Sequence, residues 1–475
     1  MPGPDVVRAF ALEIGLGALL VLVFVANLCI RSVDRRVIGW IASWGVLVLA
    51  VTSFLVMPAP PALRGMFVQD GLAIFAKRLF LAATFIGLLA ALGNAHPAFV
   101  RRAGEYHLFI LSSLLGMFVL VSARDLILLF VAFELMSIPL YVLSGFLKRQ
   151  EEAVEAALKF FLVGSVSSAV LVYGLSFVYG AARSTDLATV AQASTGIQPF
   201  LTLGLLAAFA GFAFKIAAFP FHMWVPDTYE AASTPFVAWL SVTPKAAGFV
   251  ALFRVYLEGA GDRAAMWMPL AAGLATLTIV AGNLMALPQQ NTKRLLAYSG
   301  IAHIGYMLVG FAATSASGVA MVLFYLVTYV FGNMGAFLVV EAVARSEGSE
   351  ATAAFRGLAQ RSPLLALAML LFLLSLGGIP FVAGFWAKLY VFWAAASAGL
   401  YWLVLVGAVL SVVALFYYLV VAKRMYIEPP ERPERVRLST TLALAVLLCV
   451  AGVVVLGVYP TPLVMAALRA AAPLF

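Results

Sequence analysis

Residues 212–230 read FAFKIAAFPFHMWVPDTYE. The stretch opens as an apolar helix and then does two costly things. It sets a lysine, Lys215, inside the apolar run. Five residues later it sets Pro220, which has no amide to donate to the helix ladder. The surrounding chain makes both choices informative. It has 475 residues, 64% hydrophobic and 11% charged, with a mean hydropathy of +1.05. That composition excludes an ordinary soluble domain. Apolar runs of about 20 residues, each long enough to cross a bilayer, recur from end to end.

The runs fall near 9–30, 36–57, 73–94, 105–122, 125–147, 155–180, 200–222, 231–255, 266–287, 296–314, 319–344, 362–396 (interrupted), 400–426 and 440–470. They predict an all-α polytopic membrane protein of about 14 transmembrane helices. The first run is long and lacks a small-residue cleavage site, so it reads as a helix and not a signal peptide.

The net charge of +9 does not point to nucleic acid, because the basic residues alternate by loop. One set comprises Arg31, Arg35 and Arg36; Arg101 and Arg102; Lys148 and Arg149; Lys293 and Arg294; Arg345, Arg356 and Arg361; and Lys423, Arg424, Arg432, Arg435 and Arg437. The opposite loops carry mainly Arg8, Arg64, Arg124, Arg183, Arg263 and Arg469. Positive-inside asymmetry puts the first set in the cytoplasm and both termini outside. The two cysteines, Cys29 and Cys449, are too few for an iron–sulfur cluster. The four histidines have no metal-ligand spacing, so no cofactor or metal is expected in this chain.

The opening stretch has a counterpart. Residues 377–390 read GGIPFVAGFWAKLY. Both contain Pro-Phe (Pro220-Phe221, Pro380-Phe381), then a tryptophan (Trp224, Trp386), with one lysine nearby (Lys215, Lys388). Paired Pro/Gly-broken segments point to an inverted-repeat transporter. The division is 1–104, N-terminal flanking helices; 105–256 and 257–426, two repeats each with a broken helix; and 427–475, a C-terminal flanking helix. Unwound backbone at membrane depth must face protein or water, so the breaks predict hydrated cavities inside the bundle.

Ionisable residues sit within these spans: Glu134, Lys159, Lys215, Lys245, Lys388 and His303, with His222 beside the first break. Each ion near the bilayer centre costs at least about 2.5–3.5 kcal/mol, so such groups must be paired or hydrated. One acid among several lysines is an odd ratio for an inert network. Lysine gives up its proton when its surroundings change, whereas arginine stays charged; a row of lysines therefore suits a proton relay. Lys159 and Lys388 also admit snorkelling to a surface, and His303 admits a packing role. His222 is expected to satisfy carbonyls freed by the break or to wet a channel, and Asp227 to cap a helix beginning near Tyr229.

With these residues in place, the chain resembles the antiporter-like membrane subunits of bacterial proton-translocating NADH–quinone oxidoreductase, respiratory complex I. The carrying stretches include FELMSIPLYVLSGF, FKIAAFPFHMWVPDTYE, QNTKRLLAYSGIAHIGYMLVG and LGGIPFVAGFWAKLY, spread over about 125–396. VPDTY and QNTKRLLAYSG are nearest the N-type branch; EAAST at 230–234 departs from the family's usual turn. The resemblance implies that Glu134 pairs with Lys215, that Lys159 tunes the pair, that Lys245 is the central relay and that Lys388 ends the second half-channel. It implies other membrane subunits (M, K and J) and the lipid bilayer as partners. Flavin mononucleotide, iron–sulfur clusters and quinone would belong to partner subunits. A cation/proton antiporter subunit of the Mrp type and an inert membrane scaffold are the alternatives.

Overall fold

The computed structural model describes residues 4–30, 32, 34–94, 96–193, 199–260 and 263–475; Arg31 of the basic loops lies outside the described residues. In chain order the helices are α1 (Pro4–Ala9), α2 (Ala11–Cys29), α3 (Arg36–Thr52), α4 (Gly71–Leu92), α5 (Pro97–Arg101), α6 (Ala103–Ser122), α7 (Leu126–Ser144), α8 (Glu151–Ala182) and α9 (Leu187–Ala193). They continue with α10 (Pro199–Ile216), α11 (Trp224–Ala231), α12 (Thr234–Leu240), α13 (Thr243–Phe253), α14 (Ala264–Ala286), α15 (Thr292–Ala312), α16 (Ala316–Glu347) and α17 (Leu358–Arg361). The last are α18 (Pro363–Gly377), α19 (Ala383–Ser397), α20 (Tyr401–Tyr426), α21 (Thr440–Val458) and α22 (Thr461–Ala471).

Among the described residues 13 helices are long and apolar enough to cross a membrane by themselves. The interrupted pair α18 and α19 supplies a further crossing, which agrees with the expected number. Local chemistry sets many boundaries. Asp70, Asp125, Asn291, Ser315 and Ser439 each accept hydrogen bonds from first-turn amides of the helices they open, which satisfies donors that a helix start leaves free. Gly348 and Gly378 end α16 and α18 in the left-handed conformation that glycine adopts without strain.

α15 and α16 are almost wholly buried and form the centre of the bundle with α12 and α13; α2, α3, α20 and α21 keep most of their surface outward. The third long helix of each half, α8 and α16, runs for 32 residues, and a broken helix follows it each time. The loops of the strongly basic set meet at one end. Arg345 donates to the Gly93 carbonyl, Lys293 pairs with Glu350, and Arg356 pairs with Glu428.

Several details differ from expectation. The run 231–255 is interrupted at Ser241–Val242 and ends in a π-turn, Arg254–Glu258. The last run divides at Tyr459–Pro460, where proline begins a separate short helix, α22. A small antiparallel hairpin, β1 (Ala59–Ala62) with β2 (Phe67–Gln69), joins α3 to α4.

Both breaks are present, and among the described residues Pro220, Pro380 and Phe381 at them are not buried. Protein groups meet several of the freed backbone atoms. Thr278 Oγ1 accepts from the Phe219 amide at 3.1 Å. Ser375 Oγ accepts from the Gly384 amide at 3.1 Å. Lys388 donates to the Gly377 carbonyl at 3.1 Å. α21 braces the second break: the Trp386 indole donates to the Gly457 carbonyl at 2.8 Å.

Candidate functional site

Lys215 lies in the last turn of α10, just before the first break, and is buried. Its ammonium donates to Ser137 Oγ at 2.7 Å and stands 5.0 Å from the centre of the Phe133 ring. Both partners are on α7, flanking Glu134, and Ser137 is three residues on, hence on the same helix face. Glu134 is half-buried and its Oε1 has no hydrogen-bond partner. Lys215 and Glu134 thus occupy one neighbourhood, yet they form no direct ion pair; a hydroxyl stands in the lysine's reach where the carboxylate was expected. Gly248 on α13 gives the lysine stem its room, since a Cβ there would come within 3.4 Å of Lys215 Cγ.

Lys245 sits in the first turn of α13, just past the Ser241–Val242 interruption, and is buried. Its Nζ has no hydrogen-bond partner among the described residues. The ring of Tyr229 lies 5.3 Å away, a cation–π contact in the absence of any carboxylate. Gly300 of α15 leaves the facing wall open: a Cβ there would fall 2.8 Å from Tyr329 Oη and 3.6 Å from Lys245 Nζ. The hydroxyls of Tyr229 and Tyr329 are also buried without partners. Polar atoms left unsatisfied around an opening of this kind are those that ordered water serves elsewhere.

From this point polar groups continue across the second half. Ser299, His303 and Tyr306 lie on one face of α15, at helical spacing. His303 Nδ1 is 2.7 Å from Tyr325 Oη, and its Nε2 is 3.3 Å from Tyr418 Oη. Tyr418 also contacts Ser299 Oγ. The neighbouring ring of Tyr417 is 4.6 Å away, centre to centre. Tyr417 Oη donates to Asn283 Oδ1 at 3.1 Å, and Asn283 Nδ2 donates to Tyr306 Oη at 3.1 Å. Lys388 Nζ then stands 4.8 Å from the centre of the Tyr306 ring. Lys388 is buried, not snorkelling, and spends a hydrogen bond on the second break.

Lys159 lies elsewhere. It is in the third turn of α8, half exposed, paired with Glu155 at 2.8 Å and Asp227 at 3.1 Å. Asp227 is inside α11 and not at its cap; it also binds Arg294 at 2.9 Å. The direct partners of Lys159 are thus Glu155 and Asp227, in a partly exposed network. His222 is buried beside Phe219, rings 5.2 Å apart, with Nδ1 unpartnered; the ring hydrogen-bonds the Pro220 backbone carbonyl at the break, as expected.

The Lys159 network borders a cavity of about 760 Å³ at the basic end. Glu155, Asp227, Glu230, Glu341 and Glu350 make it acidic. Ser233 in its wall has a buried, unpartnered hydroxyl, as do Thr228 and Tyr229 on α11, and the Tyr229 ring faces Lys245. These hydroxyls escaped sequence reading because serine, threonine and tyrosine in a membrane helix carry no charge to mark them. A second group was missed despite its charge. At the opposite end buried Lys77 contacts Glu13 at 2.5 Å and also Gln69, while buried Arg254 binds Asp70 through two 2.7 Å bonds and Glu258 at 3.2 Å. The signal was present as Lys77 and Arg254 inside apolar runs.

A family model described as NADH:quinone oxidoreductase/Mrp antiporter, transmembrane, matches residues 123–414. The NADH-quinone oxidoreductase subunit N of Moorella thermoacetica is 40% identical over 472 residues, covering 99% of this chain and 98% of that one. Among solved structures, a chain of respiratory complex I from Thermus thermophilus superposes with a TM-score of 0.82 at 33% identity, over 96% of this chain and 98% of that chain. A chain of the Mrp complex from a Dietzia species gives a TM-score of 0.87 at 22% identity, over 99% and 97%, a likeness of fold.

Proposed function

This chain belongs to the NADH:quinone oxidoreductase/Mrp antiporter membrane family, and from that premise we propose how its side chains move protons. It is a multi-pass membrane-arm subunit of a proton-translocating NADH–quinone oxidoreductase, assembled with other subunits of that complex. The observation that carries the residue assignment is a set of buried polar groups: the Ser137–Lys215 bond and Lys245 in the first half, and in the second a run of contacts from His303 through Tyr418, Tyr417, Asn283 and Tyr306 to Lys388. The set draws on both halves of the bundle, and three lysines belong to it without a carboxylate in contact.

In the mechanism we assign, a proton enters from the acidic cavity through the hydroxyls of Ser233, Thr228 and Tyr229 and is taken by Lys245. His303, with a tyrosine hydroxyl at each ring nitrogen, hands it toward Lys388. The charge on Lys215 sets how readily Lys245 holds a proton, because like ammonium charges oppose each other. Glu134, one helical turn from Ser137, controls Lys215 by approaching it or withdrawing. Quinone reduction elsewhere drives the cycle, with the flavin, iron–sulfur clusters and quinone in partner subunits. Subunits M, K and J are the neighbours we assign. The basic end faces the cytoplasm of a bacterial inner membrane and both termini lie outside. The repeats 105–256 and 257–426 are the two half-channels; the matching 32-residue helices and the broken helix after each support that division.

Proton pumping per NADH by the assembled complex in proteoliposomes tests the assignment. With Lys388→Met, NADH oxidation should continue while the pH gradient falls. Full pumping would remove Lys388 from the set. An inert scaffold predicts damaged assembly with normal pumping in whatever assembles. The family model spans both readings, but the Mrp structure is a likeness of fold, whereas the 40% relative is named for NADH-quinone oxidoreductase.

A further inference from the structure

A second pocket, of about 300 Å³, lies at the basic end where α5 meets the connection between α7 and α8. Arg101, Arg102, Lys148 and Arg149 line it, with His96 and the apolar Phe146. None of the four cations forms an ion pair with a carboxylate among the described residues. Several other basic side chains at this end are paired: Arg356 with Glu428 and Glu431, Lys293 with Glu350, and Arg294 with Asp227 and Glu230. Four like charges around one concave site repel one another, and a bound anion relieves that repulsion.

The surface beside the pocket says what kind of anion. Val142, Ile138, Leu135 and Val131 are exposed along α7 at successive helical positions, leading from the pocket toward the membrane centre. Phe161 of α8 is exposed next to this lane, its ring 5.8 Å from that of Tyr141. The site is cationic at the membrane surface and apolar along the bilayer depth. We propose that it binds an anionic phospholipid, with the headgroup phosphate held by Arg101, Arg102, Lys148 and Arg149 and an acyl chain along the α7 lane. Free phosphate would satisfy the pocket but not the lane, and a zwitterionic lipid would satisfy the lane but bring no net charge.

The test uses the assembled complex, wild type and Arg102→Gln/Arg149→Gln, in nanodiscs of phosphatidylcholine with a minor fraction of photoactivatable phosphatidylglycerol. After irradiation, wild type should carry label on peptides from 97–102 and 145–150 and along α7. The variant should need about 30-fold more of the labelled lipid for equal labelling, from two lost cations. Inorganic phosphate should not compete at equal concentration, and a photoactivatable phosphatidylcholine should label weakly. Equal labelling of wild type and variant, equal labelling by phosphatidylcholine, full competition by inorganic phosphate, or no label because a neighbouring chain covers the pocket would each overturn the proposal.

Discussion

Lys245 holds its ammonium nitrogen 5.3 Å from the centre of the Tyr229 ring, with no hydrogen-bond acceptor in reach. A buried charge in that position has only the ring face and whatever water reaches it. It is costly to keep, and easily discharged when its surroundings change. Residue 300 faces it without a side chain, and a Cβ there would stand 3.6 Å from the Lys245 nitrogen.

Gly300→Ala should therefore reduce pumping severalfold in complex that assembles normally. Alanine in a helix interior ordinarily stabilises by about 0.5–1 kcal/mol relative to glycine. Here the added methyl meets Tyr329 Oη and narrows the space around Lys245. Unchanged pumping per NADH would show that the space is not used.

Ser137→Ala removes the hydroxyl that receives the Lys215 ammonium. A hydrogen bond to a charged group is worth about 1.5–3 kcal/mol, so thermal stability of the complex should fall. The double-mutant coupling between Glu134→Gln and Lys215→Ala should also change when Ser137 is absent, because the serine stands in the lysine's reach on the acid's own helix face. Coupling that ignores Ser137 would mean the lysine and the acid interact without it.

Gly378→Ala should lower Tm more than Gly348→Ala does. Both residues have positive φ, 83° and 68°, where a Cβ costs about 1–2 kcal/mol. At Gly348 nothing lies within 4 Å, whereas at Gly378 the new Cβ would meet Lys388 Cδ at 2.8 Å. Only the second should also disturb pumping. Equal losses at both sites would separate the second break from Lys388.

At the opposite end, Asp70→Asn should destabilise the subunit by about 1.5–3 kcal/mol at neutral pH, because it leaves buried Arg254 with only Glu258 and the Val121 carbonyl. Burial pushes the Asp70 carboxyl up, but the Arg254 guanidinium and the Ala73 amide outweigh it and hold it below the usual carboxylate range. A lowered value in the folded state gives stability that is present above the ordinary range and lost as pH falls through the lowered value. The gap between wild type and variant should persist down to about pH 4 and close only below it. A gap that closes near neutrality would assign the effect to another group.

Much of this architecture was legible in the residues. Apolar runs marked the crossings, and Pro220 and Pro380 marked two breaks, because a missing amide and a long hydrophobic run are local properties. What surrounds the breaks was not legible. Whether freed amides meet water or a hydroxyl depends on Thr278 and Ser375, one from another helix and one nine residues back, and no local pattern announces them. Lys215, Lys245 and Lys388 stood out by charge in apolar surroundings. The groups between them, Asn283, Tyr306, Tyr417 and Tyr418, did not, since a tyrosine in a membrane helix reads equally as packing. Lys159 shows the converse limit: its place in the sequence admits a relay or a surface role, and only the fold brings Asp227 to it.

The central claim is that Lys245 carries the proton between the two halves of the bundle. Its most direct measurement is the pH gradient per NADH oxidised by assembled Lys245→Ala complex in sealed proteoliposomes. Loss of a charge that has no partner leaves no stranded acid, so assembly should survive. The account predicts normal subunit content with a sharply reduced gradient. A wild-type gradient from fully assembled variant would contradict it and take Lys245 out of the path.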